Sequence, residues 1–135
     1  MNDSTARAAA SMYERYIACL NARDWGKLGD FVATNVVHNG HALGVDGYQS
    51  MLEQNYRDIP DLYFQIDQVV TNEGQVASRL RFDCTPVDRF LGVPVNGQRV
   101  IFHEHAFYTL REGKIAEVFS VIDKAAIEAQ LKSDR

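Results

Sequence analysis

The sequence predicts an α+β fold in which helices pack on one face of a curved antiparallel sheet. Up to residue 58, apolar side chains recur mainly at the three- and four-residue spacing of amphipathic helices. After Pro60 the spacing changes to two, and turn residues separate long runs rich in Val, Ile, Phe and Tyr, as in strands. Helices followed by a meander of strands are typical of α+β folds.

The bulk properties predict a single domain over residues 1–135. A net charge of -4 argues against nucleic acid or an anionic membrane as partner. No apolar run resembles a signal peptide or reaches transmembrane length, so we expect a cytoplasmic protein. Cys19 and Cys84 match no metal or redox spacing and are expected to be reduced thiols.

Three helices are predicted before Pro60. The first, "NDSTARAAASMYERYIACLNA", opens with capping residues. Asp24 is expected to cap a short second helix and Asp46 a third, which ends before Pro60 because the residue preceding proline disfavours helix. The first helix carries an apolar stripe, formed by Ala9, Met12, Tyr13, Tyr16, Ile17 and Leu20.

Four long strands and a final helix are predicted after Pro60. The turn "TNEG" joins "LYFQIDQVV" to "QVASRLRFDCT", and the turn "REG" joins "RVIFHEHAFYTL" to "KIAEVFSVID". Between these hairpins lies the loop "PVDRFLGVPVNGQ", rich in proline and glycine. The last segment, "KAAIEAQLKS", is helix-prone.

The motif "FHEHAF" places His103 and His105 one residue apart on a strand, so both imidazoles point to the same side. The turn at Gly113 decides what shares that side. A three-residue loop with a left-handed glycine pairs Leu110 with Lys114 and sets His105 opposite Phe119. The shared face is then His103, His105, Phe107, Phe119, Val121 and Asp123.

With this turn both histidines and Asp123 look into the same cavity. A two-residue loop would shift the register by one, pair Glu104 with Asp123 and put Glu104 in the place of the histidines. The opposite face is also half apolar, which favours helices on one side of the sheet and a partner subunit on the other. That face consists of Phe102, Glu104, Ala106, Tyr108, Val118, Ser120 and Ile122.

Several segments resemble the SnoaL-like polyketide (ester) cyclase group of the nuclear-transport-factor-two-like superfamily. They are "LNARDWGKLGDFVATNVVHNG", "DIPDLYFQIDQVVTNEGQVASRLRF", "RFLGVPVNGQRVIF" and "REGKIAEVFSVID". The resemblance implies a cone, in which a strongly curved antiparallel sheet wraps around the N-terminal helices and holds a pocket in its mouth.

The resemblance also implies chemistry: ring closure by intramolecular aldol addition, without metal or organic cofactor. Members similar to this chain use a pocket aspartate, helped by nearby Asn and His. Asp123 matches the family's "E-x-W-x-x-x-D", with Phe119 in place of tryptophan, and Asn39 matches its "V-x-HN" segment. His105 matches the family pattern more loosely, and its assigned role depends mainly on the predicted register of the last two strands.

In this hypothesis Asp123 takes a proton from a carbon flanked by carbonyls, and an apolar site raises its pKa. His105 and Asn39 hydrogen-bond the enolate oxygen. The competing interpretation of Asp123 is the N-cap of the last helix. The remaining candidate substrate-binding residues are His38, His41, His103, Phe119, Trp25 and Phe107.

Other interpretations of the sites are weaker. His103 and His105 with His38 or His41 could supply three imidazoles to a metal, but no carboxylate triad accompanies them, and we expect no metal. "RFD" at Arg81 resembles the start of an epoxide-hydrolase site, although the second aspartate is missing. A ketosteroid-isomerase-like function is also weaker, because His38 and Asn39 occupy the segment where those enzymes place a base aspartate.

The expected ligand is a small, apolar, carbonyl-bearing molecule, and the expected assembly is a homodimer through the outer face of the sheet. The alternative is a non-catalytic small-molecule-binding or dimerisation domain with the same cone, since one fold supports many functions.

Overall fold

The computed structural model describes residues 3–133 of the chain. The helices are α1 (Asp3–Ala22), a 3-10 helix (Trp25–Asp30), α2 (Gly44–Asp58) and α3 (Lys124–Ser133). The strands are β1 (Val32–His38), β2 (His41–Ala42), β3 (Gln65–Thr71), β4 (Gln75–Cys84), β5 (Arg89–Phe90), β6 (Val93–Pro94), β7 (Val100–Arg111) and β8 (Lys114–Ile122).

Six of these strands form one sheet in the order β2-β1-β8-β7-β4-β3, and β5 and β6 form a separate short hairpin. The predicted α+β class, with N-terminal helices against a curved sheet, is confirmed. The sheet differs from the predicted antiparallel arrangement at β1, which pairs in parallel with β8 and makes the sheet mixed.

The core lies between the helices and the inner face of the sheet. All six residues of the predicted stripe on α1 are buried, which confirms the helical periodicity. The ring of Tyr13 packs on that of Tyr108 from β7, with ring centroids 5.0 Å apart. Such aromatic contacts bury large areas and fix which face of the sheet the helix covers.

The helix ends differ slightly from the prediction. α2 begins at Gly44, so Asp46 lies in its first turn, where a carboxylate interacts favourably with the helix dipole. The helix stops at Asp58, before Pro60, as predicted. Asp24 does occupy the N-cap of the 3-10 helix, but without a capping side-chain hydrogen bond.

The turn between β7 and β8 contains two residues, so the predicted three-residue loop is wrong. Arg111 pairs with Lys114, and the turn residues Glu112 and Gly113 have φ angles of 53° and 77°. Two successive positive φ angles are the signature of a type I′ turn, which matches the twist of the flanking strands.

A β-bulge next to this turn moves the register further. Thr109 pairs with Glu117 while Leu110 pairs with Ile115, which leaves Ala116 as an extra residue on β8. Such a residue locally bends the strand and changes the pairing beyond it.

The net displacement from the predicted register is therefore two residues. His105 lies opposite Val121 rather than Phe119, and Phe119 lies opposite Phe107. The backbone N–H of Asp123 donates to the carbonyl of His103 at 3.0 Å. Because the displacement is even, the predicted set of side chains still shares one face.

That shared face is the outer one, whereas we expected it to line the pocket. Phe107, Phe119 and Val121 are 62%, 51% and 70% exposed. On the opposite face Phe102 and Tyr108 are buried against the helices. Alternation divides a strand into two sets of side chains, and the packing of α1 and α2 decides which set is internal.

Both cysteines are free and buried, and burial raises the pKa of the Cys84 thiol to about 12. Within the described residues, no helix combines the length and hydropathy needed to cross a bilayer.

Asn21 links the end of α1 to the start of β3. Its side-chain amide donates to the carbonyl of Phe64 at 2.9 Å, and its Oδ1 accepts from the Phe64 N–H at 2.8 Å. The residue is partly buried, so loss of the amide leaves two backbone groups without partners.

We expect Asn21→Ala to lower the free energy of unfolding by about 1–3 kcal/mol, the usual cost of unpaired buried polar groups. Urea denaturation measures this loss. The control is Asn35→Ala at an exposed position of β1, expected to change stability by less than about 0.5 kcal/mol. Equal effects of the two substitutions would contradict the structural role of Asn21.

Candidate active site

A cavity of about 400 Å³ lies between the inner face of the sheet and helices α1 and α2. This volume is in the range of small-molecule sites. The apolar lining residues are Leu20, Met51, Leu52, Phe64, Leu80, Leu91, Val118 and Ile122. The polar lining residues are Tyr16, His38, Asn39, Tyr48, Asn55, Glu104, Tyr108, Ser120 and Lys124.

Glu104 supplies the one carboxylate among these lining residues. It lies on β7 between Leu80 of β4 and Ile122 of β8, so both cross-strand neighbours are aliphatic. Burial disfavours the charged form and raises the pKa of Glu104 to about 7, although a hydrogen bond from Ser120 acts in the opposite direction. Near neutral pH this group can therefore both accept and return a proton.

His38 lies beside Ser120 at the end of β1. The Ser120 hydroxyl and His38 Nε2 are 3.5 Å apart, and the imidazole meets the Tyr48 ring edge-on with centroids 6.0 Å apart. Burial, followed by the nearby His41, lowers the pKa of His38. A neutral imidazole at physiological pH offers one donor and one acceptor to a ligand.

Asn39 fixes this corner of the site to β8. Its Oδ1 accepts from the Ser120 N–H at 2.8 Å, and its Nδ2 donates to the Ser120 carbonyl at 3.2 Å. Asn39 and Gly40 form the β1–β2 turn with φ angles of 48° and 83°, a conformation that favours Asn followed by Gly. The amide of Asn39 therefore orients Ser120 and the adjacent His38.

Two pairs of tyrosine hydroxyls lie beside the carboxylate. The hydroxyls of Tyr16 and Tyr48 are 2.7 Å apart, and Tyr13 donates to Tyr108 at 3.2 Å. Burial raises the pKa of all four phenols, so they stay protonated and act as hydrogen-bond donors. Tyr16, Tyr48 and Tyr108 line the cavity.

The β5–β6 hairpin covers part of the cavity with Leu91. This residue has a φ of 54°, a left-handed conformation that is rare for a bulky side chain. Strain of this kind is kept where the surrounding structure holds a residue in place, often at ligand sites. Leu91 is 40% exposed, so it lies at the boundary between cavity and solvent.

The two residues predicted to be catalytic lie outside this lining, so their expected placement in a shared cavity is wrong. Asp123 is exposed, and its Oδ1 accepts from the Ala126 N–H at 3.1 Å, as an N-cap of α3 does. His105 is exposed on the outer face, where Arg79 Nη1 lies 2.7 Å from its Nε2.

The predicted binding residues divide between the two faces. His38 and Asn39 line the cavity. His103 lies on the outer face, 3.6 Å from Asp67, and His41 is exposed on β2. The others lie outside the lining: Trp25 packs on Tyr56, and Phe107 and Phe119 point outward.

The residues considered for metal binding or epoxide hydrolysis do not come together in a site. Across residues 3–133, no group of three or more His, Cys, Asp or Glu side chains is arranged to hold a metal ion. Asp83 is paired with Arg99 through two hydrogen bonds of 2.7 and 2.6 Å, and neither residue lines the cavity.

The sequence offered Glu104 only as the alternative to the histidines and Asp123 that a two-residue turn would bring, and it was not among the predicted site residues, although a further signal was available. Along β7 the inward-facing set reads Phe102, Glu104, Ala106 and Tyr108. Glu104 is half-buried and the other three are buried, so one acid interrupts an otherwise apolar and aromatic face. An ionisable group in that position is seldom buried without a function or a partner.

Comparison with known proteins agrees with this architecture. The family model for the SnoaL-like polyketide cyclase matches residues 10–131. A crystal structure of a SnoaL-like polyketide cyclase from Agrobacterium tumefaciens is 46% identical, with a TM-score of 0.90 over 91% of this chain and 97% of that one. A search of curated proteins returned no match.

More distant structures share the fold alone. TsrD from Streptomyces laurentii is 20% identical, with a TM-score of 0.80 over 93% of this chain and 95% of its own. IdmH from Streptomyces antibioticus is also 20% identical, with a TM-score of 0.79 over 92% of this chain and 98% of its own. The family match and the 46% identity over nearly the whole chain establish that this protein belongs to the SnoaL-like polyketide cyclase family.

Proposed function

We propose that this protein is a cofactor-independent cyclase that performs intramolecular aldol-type chemistry on a small, apolar, carbonyl-bearing substrate. The observation that carries the proposal is Glu104, a carboxyl group with a pKa raised to about 7 inside a cavity lined by aliphatic side chains together with hydrogen-bonding groups. A base whose pKa lies near the working pH combines a usable ionised fraction with enough basicity.

In the first step, the Glu104 carboxylate takes a proton from the carbon next to a substrate carbonyl. The electron pair of the C–H bond moves into the new C=C bond, and the carbonyl oxygen becomes an enolate. In the second step, the enolate carbon attacks another carbonyl of the same molecule and forms the ring C–C bond. The resulting alkoxide takes the proton back from Glu104, so no cofactor is consumed.

The enolate and alkoxide oxygens need hydrogen-bond donors in a water-poor site. The Tyr16–Tyr48 pair supplies neutral hydroxyls at 2.7 Å from each other, and His38 supplies an N–H. Ser120 lies in the same cavity lining and lowers the pKa of Glu104 against the larger effect of burial. These donors are positioned before the substrate enters, so little reorganisation is needed during the reaction.

We expect the protein to accelerate hydrogen–deuterium exchange at the benzylic carbon of benzyl methyl ketone in D₂O, and Glu104→Gln to slow that exchange by about 10²- to 10⁴-fold. The rate should rise with pH with a midpoint near 7, because the ionised base is required. Proton NMR follows the loss of the benzylic signal.

The matched controls are Glu117→Gln on the outer face of β8 and Asp123→Asn at the α3 cap. Both are expected to retain the exchange rate, and Asp123→Asn should leave stability nearly unchanged, because Asn caps a helix about as well as Asp. Exchange that survives in Glu104→Gln, or is lost in Asp123→Asn while the protein stays folded, would refute the assignment of Glu104 as the base.

Glu104 should also make stability depend on pH. Its pKa rises from 4.5 to about 7 on folding, so between these values the folded state holds more protons than the unfolded state. Stability therefore falls as pH rises through this window and levels off above it. One pKa unit corresponds to about 1.4 kcal/mol, so the total loss is on the order of 3 kcal/mol.

We compare the free energies of unfolding of Glu104→Gln and the wild type at two pH values. From pH 5 to pH 8 the difference should shift by about 1–3 kcal/mol in favour of the variant, because Gln cannot ionise. Urea denaturation at both pH values gives this comparison, with Glu117→Gln as the control. A pH-independent difference between Glu104→Gln and the wild type would show that Glu104 ionises in the folded state as easily as in water.

We further propose that the protein is a homodimer formed through the outer sheet face. The register aligns Val70, Ala77, Phe107 and Phe119 in a row across four strands, beside Val121. We call these five residues the outer apolar patch. Monomers rarely expose contiguous apolar areas of this kind, and a patch that contacts its own copy suits a two-fold interface.

We expect the wild type to sediment at about twice 15.2 kDa, and Phe107→Asp, which places a charge inside the patch, to sediment as a monomer. Analytical ultracentrifugation at micromolar concentration measures both. Tyr63→Asp is the control, because Tyr63 is equally exposed but lies outside the patch. A monomeric wild type, or dissociation by both substitutions, would contradict this interface.

A further inference from the structure

The cavity holds a serine and a histidine within reach of each other. Ser120 Oγ and His38 Nε2 are 3.5 Å apart, and both residues line the cavity. The separation is long for a hydrogen bond, but bonds between a nucleophile and its base are often this long before a substrate binds and shorten in the complex. The pair supplies the two groups that acyl transfer needs, a hydroxyl nucleophile and a base.

The backbone on both sides of this pair is fixed. The Asn39 amide makes hydrogen bonds of 2.8 and 3.2 Å with the N–H and carbonyl of Ser120. The N–H of Asn39 donates to the Val118 carbonyl at 2.8 Å, and His38 pairs with Val118 in the parallel β1–β8 register. Side-chain rotation alone can therefore shorten the distance between the hydroxyl and the imidazole.

The imidazole of His38 is in the state that a base requires. Burial, followed by the nearby His41, lowers the pKa of His38, so the ring is mainly neutral at pH 7. With the Ser120 hydroxyl as donor, Nε2 is the acceptor and the ring proton lies on Nδ1. The ring can thus take the hydroxyl proton when Ser120 attacks a carbonyl.

The same side of the cavity offers a donor for an oxyanion. The hydroxyls of Tyr16 and Tyr48 are 2.7 Å apart, and their mutual hydrogen bond uses only one of their two protons. The second proton is free to bond a ligand oxygen. Tyr48 also meets the His38 ring edge-on, with centroids 6.0 Å apart, which places this donor on the side of the serine–histidine pair.

We propose that Ser120 and His38 form a catalytic dyad that hydrolyses esters of small apolar carboxylic acids. The activity is additional to the cyclase chemistry and does not use proton transfer by Glu104. The acyl group lies against the aliphatic lining of the cavity, and the carbonyl oxygen accepts from the Tyr16–Tyr48 pair.

In the first half of the reaction, Ser120 Oγ attacks the ester carbonyl carbon while its proton passes to His38 Nε2. The C–O bond to the alcohol breaks, and the leaving alcohol takes the proton from His38. In the second half, a water molecule attacks the acyl-serine and gives a proton to His38. The acid leaves, the proton returns to Ser120, and one ester and one water have become one acid and one alcohol.

The leaving group is restricted by what surrounds the histidine. Among residues 3–133, no carboxylate is bonded to His38, so its protonated form lacks the stabilisation that the third member of a triad gives. A dyad of this kind suits esters with weakly basic leaving groups, such as phenyl esters, rather than amides. The substrate class is therefore an aryl ester of a small apolar acid.

The test uses the full-length protein with para-nitrophenyl acetate and para-nitrophenyl butyrate at pH 7. We expect a burst of about one equivalent of nitrophenolate, the kinetic sign of an acyl-enzyme, followed by slower turnover. Trypsin cleaves after Lys114 and Lys124 and releases residues 115–124, in which Ser120 is the one hydroxyl-bearing residue. Mass spectrometry should find the acyl group on this peptide.

Ser120→Ala should remove the acylated peptide, and both Ser120→Ala and His38→Gln should slow nitrophenolate release by at least about 10²-fold. Ser120→Cys should still be acylated at this position, which separates loss of the nucleophile from loss of folding. Ser78→Ala is the matched control and should retain the burst. Ser78 lies in the same cross-strand row as Ser120, with Ala106 between them, but outside the cavity lining.

Acyl groups on tyrosine or lysine side chains in place of Ser120 would overturn the dyad. A burst that persists in Ser120→Ala, or no acyl-enzyme with either ester, would also overturn it. The exchange assay with benzyl methyl ketone reports separately on Glu104. Acylation of Ser120 without exchange refutes the cyclase chemistry and keeps the dyad, and exchange without acylation does the reverse.

Discussion

The site depends on one packing interaction, the seating of the aromatic stripe of α1 on the inner face of β7. The rings of Tyr13 and Tyr108 are 5.0 Å apart, and Tyr16 meets Tyr108 edge-on at 6.0 Å. Because side chains alternate along a strand, this contact orients all of β7. Glu104 points into the cavity, and His103 and His105 on either side of it point out.

The same packing gives Glu104 its chemistry. A carboxyl group between two aliphatic cross-strand neighbours is poorly solvated when charged, which is the cause of its raised pKa. The sheet would be more stable with an apolar residue in that position, as functional groups in interiors commonly cost stability. Its polar surroundings are held by backbone contacts, above all the two hydrogen bonds between the Asn39 amide and Ser120.

The two faces of the sheet thus carry different kinds of side chain. The inner face carries Glu104 and the tyrosine hydroxyls, and the outer face carries the outer apolar patch and the charged groups beside it. On that outer face Arg79 bonds both Asp67, at 3.1 Å, and His105, at 2.7 Å. The β5–β6 hairpin adds a third element, since Leu91 lines the main cavity and Phe90 lines a smaller one that adjoins it.

Much of this architecture could be predicted from the sequence. Periodicity identified the helices, the long strands and the buried stripe of α1, and the proline at position 60 marked the end of α2. The common face of His103 and His105 followed from the period of two, and the predicted β8 residues kept that face because the register error was even. The family resemblance rested on segments that cover almost the whole chain, and it is confirmed.

The direction of that face required the folded structure. A period of two sorts side chains into two sets, and because both sets of β7 mix apolar and polar residues, their pattern does not decide which set the helices will cover. "REG" fits both a three-residue loop and a type I′ turn, and the bulge at Ala116 has no local signature. Asp123 caps a helix and Glu104 occupies the cavity for the same physical reason: long-range packing, rather than residue type, decides which carboxylate loses its water.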